Sequence, residues 1–128
     1  MNTTMAQEDY LETIYDLSHH NAEVKSIDVA RVRNVSRASI NKAIPGLLAG
    51  GFIEHEPYGK LILTEKGCRI AREVRRRHNI LKSFLVNILK VDEEIAEDEA
   101  CRIEHIVSED TIKKICEYLE QHEHLNTF

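Results

Sequence analysis

Two short apolar runs, Phe52-Ile53-Glu54-His55-Glu56 and Lys60-Leu61-Ile62-Leu63-Thr64, lie either side of Pro57-Tyr58-Gly59. A Pro-x-Gly turn between two such runs reads as a β-hairpin. On both sides of it the apolar residues recur at helical spacing instead. A lone hairpin set into a helical chain leaves few architectures. Helix, turn, helix and then hairpin is the order of a winged helix-turn-helix.

The helices before the hairpin have clear limits. The first covers 7–17, where Tyr10, Leu11, Ile14 and Tyr15 form a stripe, and Ser18-His19-His20-Asn21 ends it. His19 and His20 are adjacent and point apart on a helix, so they read as a polar end and not as a metal pair. The second helix runs from Ser26 to Arg33. Asn34-Val35 makes a turn and Ser36 is placed to cap the third helix, which carries Ile40, Ile44 and Leu47. Pro45 inside that helix is expected to kink it or end its regular ladder. Gly50-Gly51 stops it.

After the hairpin the pattern changes. Thr64, Glu65 and Gly67 open a helix of about 24 residues, longer than a small core needs. Val91-Asp92 caps another over 92–106, and Ser108 starts the last, with Ile112, Ile115, Cys116 and Leu119 as its apolar stripe. The expected class is mainly α: a winged helix-turn-helix domain over 1–64, then a helical metal-binding and dimerisation domain over 65–128.

Composition supports this division. The 128 residues carry a net charge of -5, which alone argues against nucleic acid. Yet residues 24–83 hold 13 Lys and Arg against 5 Asp and Glu, whereas 84–128 hold 4 against 12. A basic middle flanked by acidic ends suits a DNA-binding lobe joined to a metal-binding or dimerising lobe. Cys68, Cys101 and Cys116 are odd in number and widely spaced, which fits a reducing compartment. With no signal-like segment and no long apolar stretch, the expected location is the cytoplasm, with no membrane partner.

In a helix-turn-helix the second helix enters the major groove by its N-terminal part. Here Arg37, Ser39, Asn41 and Lys42 are polar there, while Ile40 should face the core. Arg and Asn can read base edges, and Ser and Lys serve base or phosphate. Lys60, near the hairpin tip, is placed to meet a phosphate. The competing reading is a basic solvated face on a module for protein contacts. Arg75-Arg76-Arg77 is equally compatible with phosphate attraction and with a solvent coat.

A second constellation carries metal chemistry. Cys101, Glu104 and His105 stand at i, i+3 and i+4 and share one helix face; Asp9 and Glu12 are i, i+3 on the first helix, and His78 lies on the long one. Thiolate, carboxylate and imidazole groups converging from three amphipathic helices are costly to bury unless a cation compensates them. Taken singly, each is an ordinary surface acid or core histidine.

Glu8-Asp9-Tyr10-Leu11-Glu12-Thr13-Ile14-Tyr15, Leu63-Thr64-Glu65-Lys66-Gly67 and Asp98-Glu99-Ala100-Cys101-Arg102-Ile103-Glu104-His105 resemble signatures of the iron- and manganese-dependent repressors of bacteria and archaea, the diphtheria toxin repressor and manganese transport regulator family. The resemblance covers nearly the whole chain. It implies a homodimer in which metal orders the DNA-binding lobes for double-stranded operator DNA, with Asp9, Glu12, His78, Cys101, Glu104 and His105 at positions of family ligands. It also implies no enzyme activity and the short architecture without an SH3-like domain. The match is mixed. Manganese sensors have acids where Asp9 and Glu12 stand, but usually a carboxylate in place of Cys101. Iron sensors have that cysteine, but a methionine in place of Asp9. Glu97 and Lys82 replace an ancillary histidine and an expected acid, which disfavours an iron-type second site. A thiolate favours Fe2+, whereas oxygen donors suit Mn2+, and Co2+ or Zn2+ can substitute in vitro. The alternatives are a metal-independent winged-helix regulator or interaction module, and a small metalloenzyme, for which the sequence marks no substrate cleft.

Overall fold

The computed structural model describes residues 3–20, 23–56 and 59–122. They fall into two compact units, Met1–Arg72 and Glu73–Phe128. No helix among the described residues is long and apolar enough to cross a membrane.

In the first unit, helix α1 spans Met5–Ser18 and begins before its apolar stripe does. Thr4 explains the early start. Its side chain accepts the Gln7 N–H at 3.1 Å, and the Gln7 side chain accepts the Thr4 N–H at 3.1 Å. Two donors with no helical partner are thus satisfied reciprocally. Helix α2 (Ser26–Arg33) ends on Asn34, whose φ of 55° is left-handed, a conformation that asparagine tolerates. The Ser36 hydroxyl accepts the Ser39 N–H at 3.1 Å and caps helix α3, Arg37–Ala49. Pro45 does not end α3. The helix continues through its exposed ring to Ala49, although Pro45 has no N–H to offer the Asn41 carbonyl. Gly51, at φ 73°, then turns the chain.

Strands β1 (Ile53–His55) and β2 (Leu61–Leu63) pair antiparallel, with Ile53 opposite Leu63 and His55 opposite Leu61. Each is shorter than its apolar run. Pro57 and Tyr58 of the expected turn lie outside the described residues, and Gly59 adopts φ 79°. Lys60 bridges antiparallel to Lys25, and the Leu61 N–H donates to the Val24 carbonyl at 2.7 Å, so the segment before α2 lines the hairpin edge. Leu11, Ile14, Val29, Ile40 and Leu47 are fully buried, one apolar stripe from each helix.

The start of helix α4 (Glu65–Ser83) is locked to the hairpin. The Thr64 hydroxyl donates to the Gly51 carbonyl at 2.6 Å and accepts the Gly67 N–H at 3.1 Å. Lys66 donates to the Gly50 carbonyl at 2.9 Å, its ammonium lying over the Phe52 ring. A Cβ at Gly67 would stand 2.1 Å from the Phe52 carbonyl oxygen. Only glycine allows so close a backbone approach.

The boundary between the units falls within α4. In the second unit α4 runs into a π-helical turn, Phe84–Ile88, where the Leu89 N–H reaches back to Phe84 at 3.2 Å. Helix α5 (Glu93–Ile103) is capped by Asp92 and carries Glu93 and Glu94 in its first turn, where carboxylates suit the helix dipole. Its regular ladder stops at Ile103, short of the expected 106. Glu104 keeps helical dihedrals nonetheless, and its N–H bonds the Ala100 carbonyl at 3.0 Å, so the face shared with Cys101 persists. Ser108 caps helix α6, Glu109–Gln121. Ile80, Leu81, Ala100, Ile112 and Leu119 form the core of this unit, and Cys116 packs against it. The end of α5 is fastened by Arg77 of α4, which donates to the carbonyls of Glu104 at 3.1 Å and Val107 at 2.7 Å and pairs with Glu109 at 2.8 Å.

Candidate metal centre and nucleic-acid interface

The first unit presents its polar residues on the first two turns of α3. Arg37, Ser39, Asn41 and Lys42 are all exposed, while Ile40 between them is fully buried. The buried residue sets the rotation of the helix, and the rotation turns the four polar side chains to solvent. Lys60 is half-buried at the hairpin edge. The bridge to Lys25 sets a second, exposed lysine beside it. The sequence did not place Lys25 beside Lys60, because a bridge between residues 35 apart leaves no local signal. Arg77 was read within a basic run, yet its side chain is only 11% exposed and serves the α5–α6 connection.

The second unit gathers the other set. His78 Nδ1 lies 3.4 Å from a Glu104 carboxylate oxygen and 3.7 Å from Cys101 Sγ. His78, Cys101 and Glu104 each offer one ligand atom, all within 4.8 Å of one another. The other Glu104 oxygen is 3.7 Å from His105 Nε2. Glu104 is 1% and His78 3% exposed, so this is a buried charged cluster inside a helical unit. Asp9 and Glu12 stand on α1 of the first unit, where Asp9 pairs with Arg33 at 3.1 Å and Glu12 is buried. His19 bonds the Tyr15 carbonyl through Nδ1, as a helix-end residue would.

Electrostatics at His78 are unusual. Burial pulls its pKa down, but hydrogen bonds and charge from Cys101 and Glu104 outweigh this and raise it from 6.5 to about 10. Without a metal, the neighbouring Cys101 and Glu104 thus favour the protonated imidazole. The donors are one sulfur, imidazole nitrogen and carboxylate oxygen, a mixture that fits a first-row divalent ion. A cluster that already attracts positive charge in a buried place is suited to exchange that proton for a metal ion.

Comparison with known proteins decides the family. Residues 2–61 match the model described as the iron dependent repressor N-terminal DNA binding domain. Residues 64–125 match the iron dependent repressor metal binding and dimerisation domain. The chain belongs to the iron-dependent repressor family. Family members of this kind are metal-dependent DNA-binding transcriptional regulators, not enzymes. An uncharacterized HTH-type transcriptional regulator of Methanocaldococcus jannaschii is 33% identical over 115 residues, 89% of this chain and 92% of that protein. The transcriptional regulator MntR of Salmonella typhimurium is 36% identical over 115 residues, 90% of this chain and 73% of its own length. Among solved structures, a manganese-dependent transcriptional repressor in complex with manganese superimposes with a TM-score of 0.82 at 31% identity, covering 89% of this chain and 52% of that one. The IdeR structure from T. acidophilum gives 0.79 at 29%, covering 94% and 55%. The chain therefore spans about half the length of these two solved iron-dependent repressor family structures.

Proposed function

We propose that this iron-dependent repressor family member is a homodimeric, metal-activated repressor of manganese- or iron-uptake genes. The observation that carries the reading is the buried His78–Cys101–Glu104 cluster in the second unit, in a chain whose first unit exposes a polar recognition helix. In this reading Cys101, Glu104, His105 and His78 hold Mn2+ or Fe2+, and Asp9 and Glu12 are proposed as further donors because they stand at positions of family ligands. The bound ion supplies the positive charge that ties these donors together. Arg37 and Asn41 read base edges, Ser39 and Lys42 serve base or phosphate, and Lys60 meets the DNA backbone. Coupling is linkage: the ligand set binds metal better in the DNA-competent arrangement, so metal shifts the population toward it. The match of residues 64–125 to a metal binding and dimerisation domain supports pairing of two copies, and Leu89, Ile95 and Ile106 of this unit are each more than half exposed.

The test is operator binding by metal-free protein, titrated anaerobically and separately with Mn2+, Fe2+, Co2+ and Zn2+. Activation by Mn2+ or Fe2+ is expected; equal affinity before and after chelation sinks the proposal. In parallel, the Co2+-loaded protein should show an intense near-ultraviolet thiolate charge-transfer band that vanishes in Cys101→Ser. Co2+ bound without that band removes Cys101 from the ligand set.

A further inference from the structure

An imidazole has two nitrogens on different edges, and the hydrogen bond made by one fixes which of them faces a metal. At His78 both edges are engaged. Nδ1 faces Glu104 at 3.4 Å and Cys101 at 3.7 Å. Nε2 lies 2.5 Å from a Glu97 oxygen. Glu97 precedes Cys101 by one turn of α5, so one helix supplies a partner to each edge of the ring. Lys82, one turn beyond His78 on α4, sets its ammonium 3.7 Å from that same Glu97 oxygen and 3.6 Å from Glu93.

We propose that Glu97, braced by Lys82, is a positioning residue. It accepts the Nε2–H of His78 and so turns Nδ1 toward Cys101 and Glu104. This rests on the metal-centre reading above and adds which nitrogen binds and what holds it there. Chemistry separates this role from direct ligation by Glu97. The Glu97 oxygen that meets His78 also meets an ammonium, and a divalent ion placed there would be repelled by Lys82. His78 is almost wholly buried and the Glu97 side chain half exposed. The carboxylate therefore closes the ring's outer edge, and the donor set lies at its inner edge.

The experiment compares wild type, Glu97→Gln and Glu97→Ala in Co2+ titrations, with far-ultraviolet circular dichroism to verify folding. Glu97→Ala should bind Co2+ roughly 10- to 100-fold more weakly, the usual cost of removing such a hydrogen-bond partner. Glu97→Gln keeps an oxygen that can accept the Nε2–H and should stay close to wild type. The 15N spectrum of Zn2+-loaded wild type should show His78 protonated at Nε2 and metal-bound at Nδ1. This last measurement stands even if the alanine variant does not fold. Equal losses in the Gln and Ala variants would make the Glu97 carboxylate a ligand and overturn the proposal, as would an alanine variant that binds like wild type or a metal on Nε2. Wild-type protein that takes up no Co2+ at all overturns the metal-centre reading, and the proposal with it.

Discussion

The two units hold their candidate functional side chains in opposite ways. In the first, Arg37, Ser39, Asn41 and Lys42 stand in solvent on a helix fixed from beneath by Ile40. In the second, His78 and Glu104 lie within the buried layer itself. The exposed set can change without disturbing what supports it. The buried set is part of the support, because each charged group there is made tolerable by the others. Readout and folding should therefore separate cleanly in the first unit and be coupled in the second.

The largest effect expected is on metal affinity as pH changes. In this reading metal replaces the proton on His78, whose pKa is raised to about 10, so affinity should climb on the order of tenfold per pH unit up to about pH 10 and level off there. The sign for the metal-free protein is opposite. A raised pKa stabilises the fold fully below the unfolded value of 6.5, and that contribution is lost as pH rises through about 10. Competition with a fluorescent chelator, beside thermal melts of the metal-free protein, measures both. A flat affinity profile over this range would uncouple the cluster from the proton.

Chelation should come next, lowering operator affinity by about 5- to 150-fold, the usual span of coupling between two sites. Fluorescence anisotropy with labelled operator reads it. In the first unit, Arg37→Ala or Asn41→Ala should each remove about 1–3 kcal/mol of discrimination between operator and random DNA. Stability should move by no more than about 0.5 kcal/mol, as at other exposed sites. A drop in melting temperature as large as that of Glu104→Ala would erase the contrast between the units. The smallest effect belongs to Lys60→Ala and Lys25→Ala. Each should weaken specific and random binding alike and reduce the salt slope by about 1.

Local signals carried far. Ser26–Arg33 and the Ser36 cap were readable from the sequence because a cap and an apolar stripe are properties of neighbours. So was the sharing of one face by Cys101 and Glu104. The extension of α1 to Met5 was hidden, since Thr4 and Gln7 make their capping pair without an apolar signal. The end of α5 was misjudged by a turn: past Ile103 the chain tightens, with the Ile106 N–H bonding the Ile103 carbonyl three residues back, and Arg77 of α4 takes the Glu104 and Val107 carbonyls beyond it. The π-helical turn at Phe84–Ile88 changes the helical period without a proline or glycine to announce it. Glu97 stood out only as a departure from a family pattern; its place at the edge of His78 depends on how α4 and α5 pack.

Gly67 has a meaning of its own for anyone tracing kinship. The run Leu63-Thr64-Glu65-Lys66-Gly67 is easily recognised, yet what restricts it is space and hydrogen bonding at the hairpin's base: a methyl group would strike the Phe52 carbonyl, and Thr64 and Lys66 hold Gly51 and Gly50. None of these contacts touches a candidate metal donor or the exposed polar residues Arg37, Ser39, Asn41 and Lys42 of α3. Such a signature dates the scaffold and is silent on its cargo. Two descendants could keep those five letters unchanged while drifting to different metals and different operators.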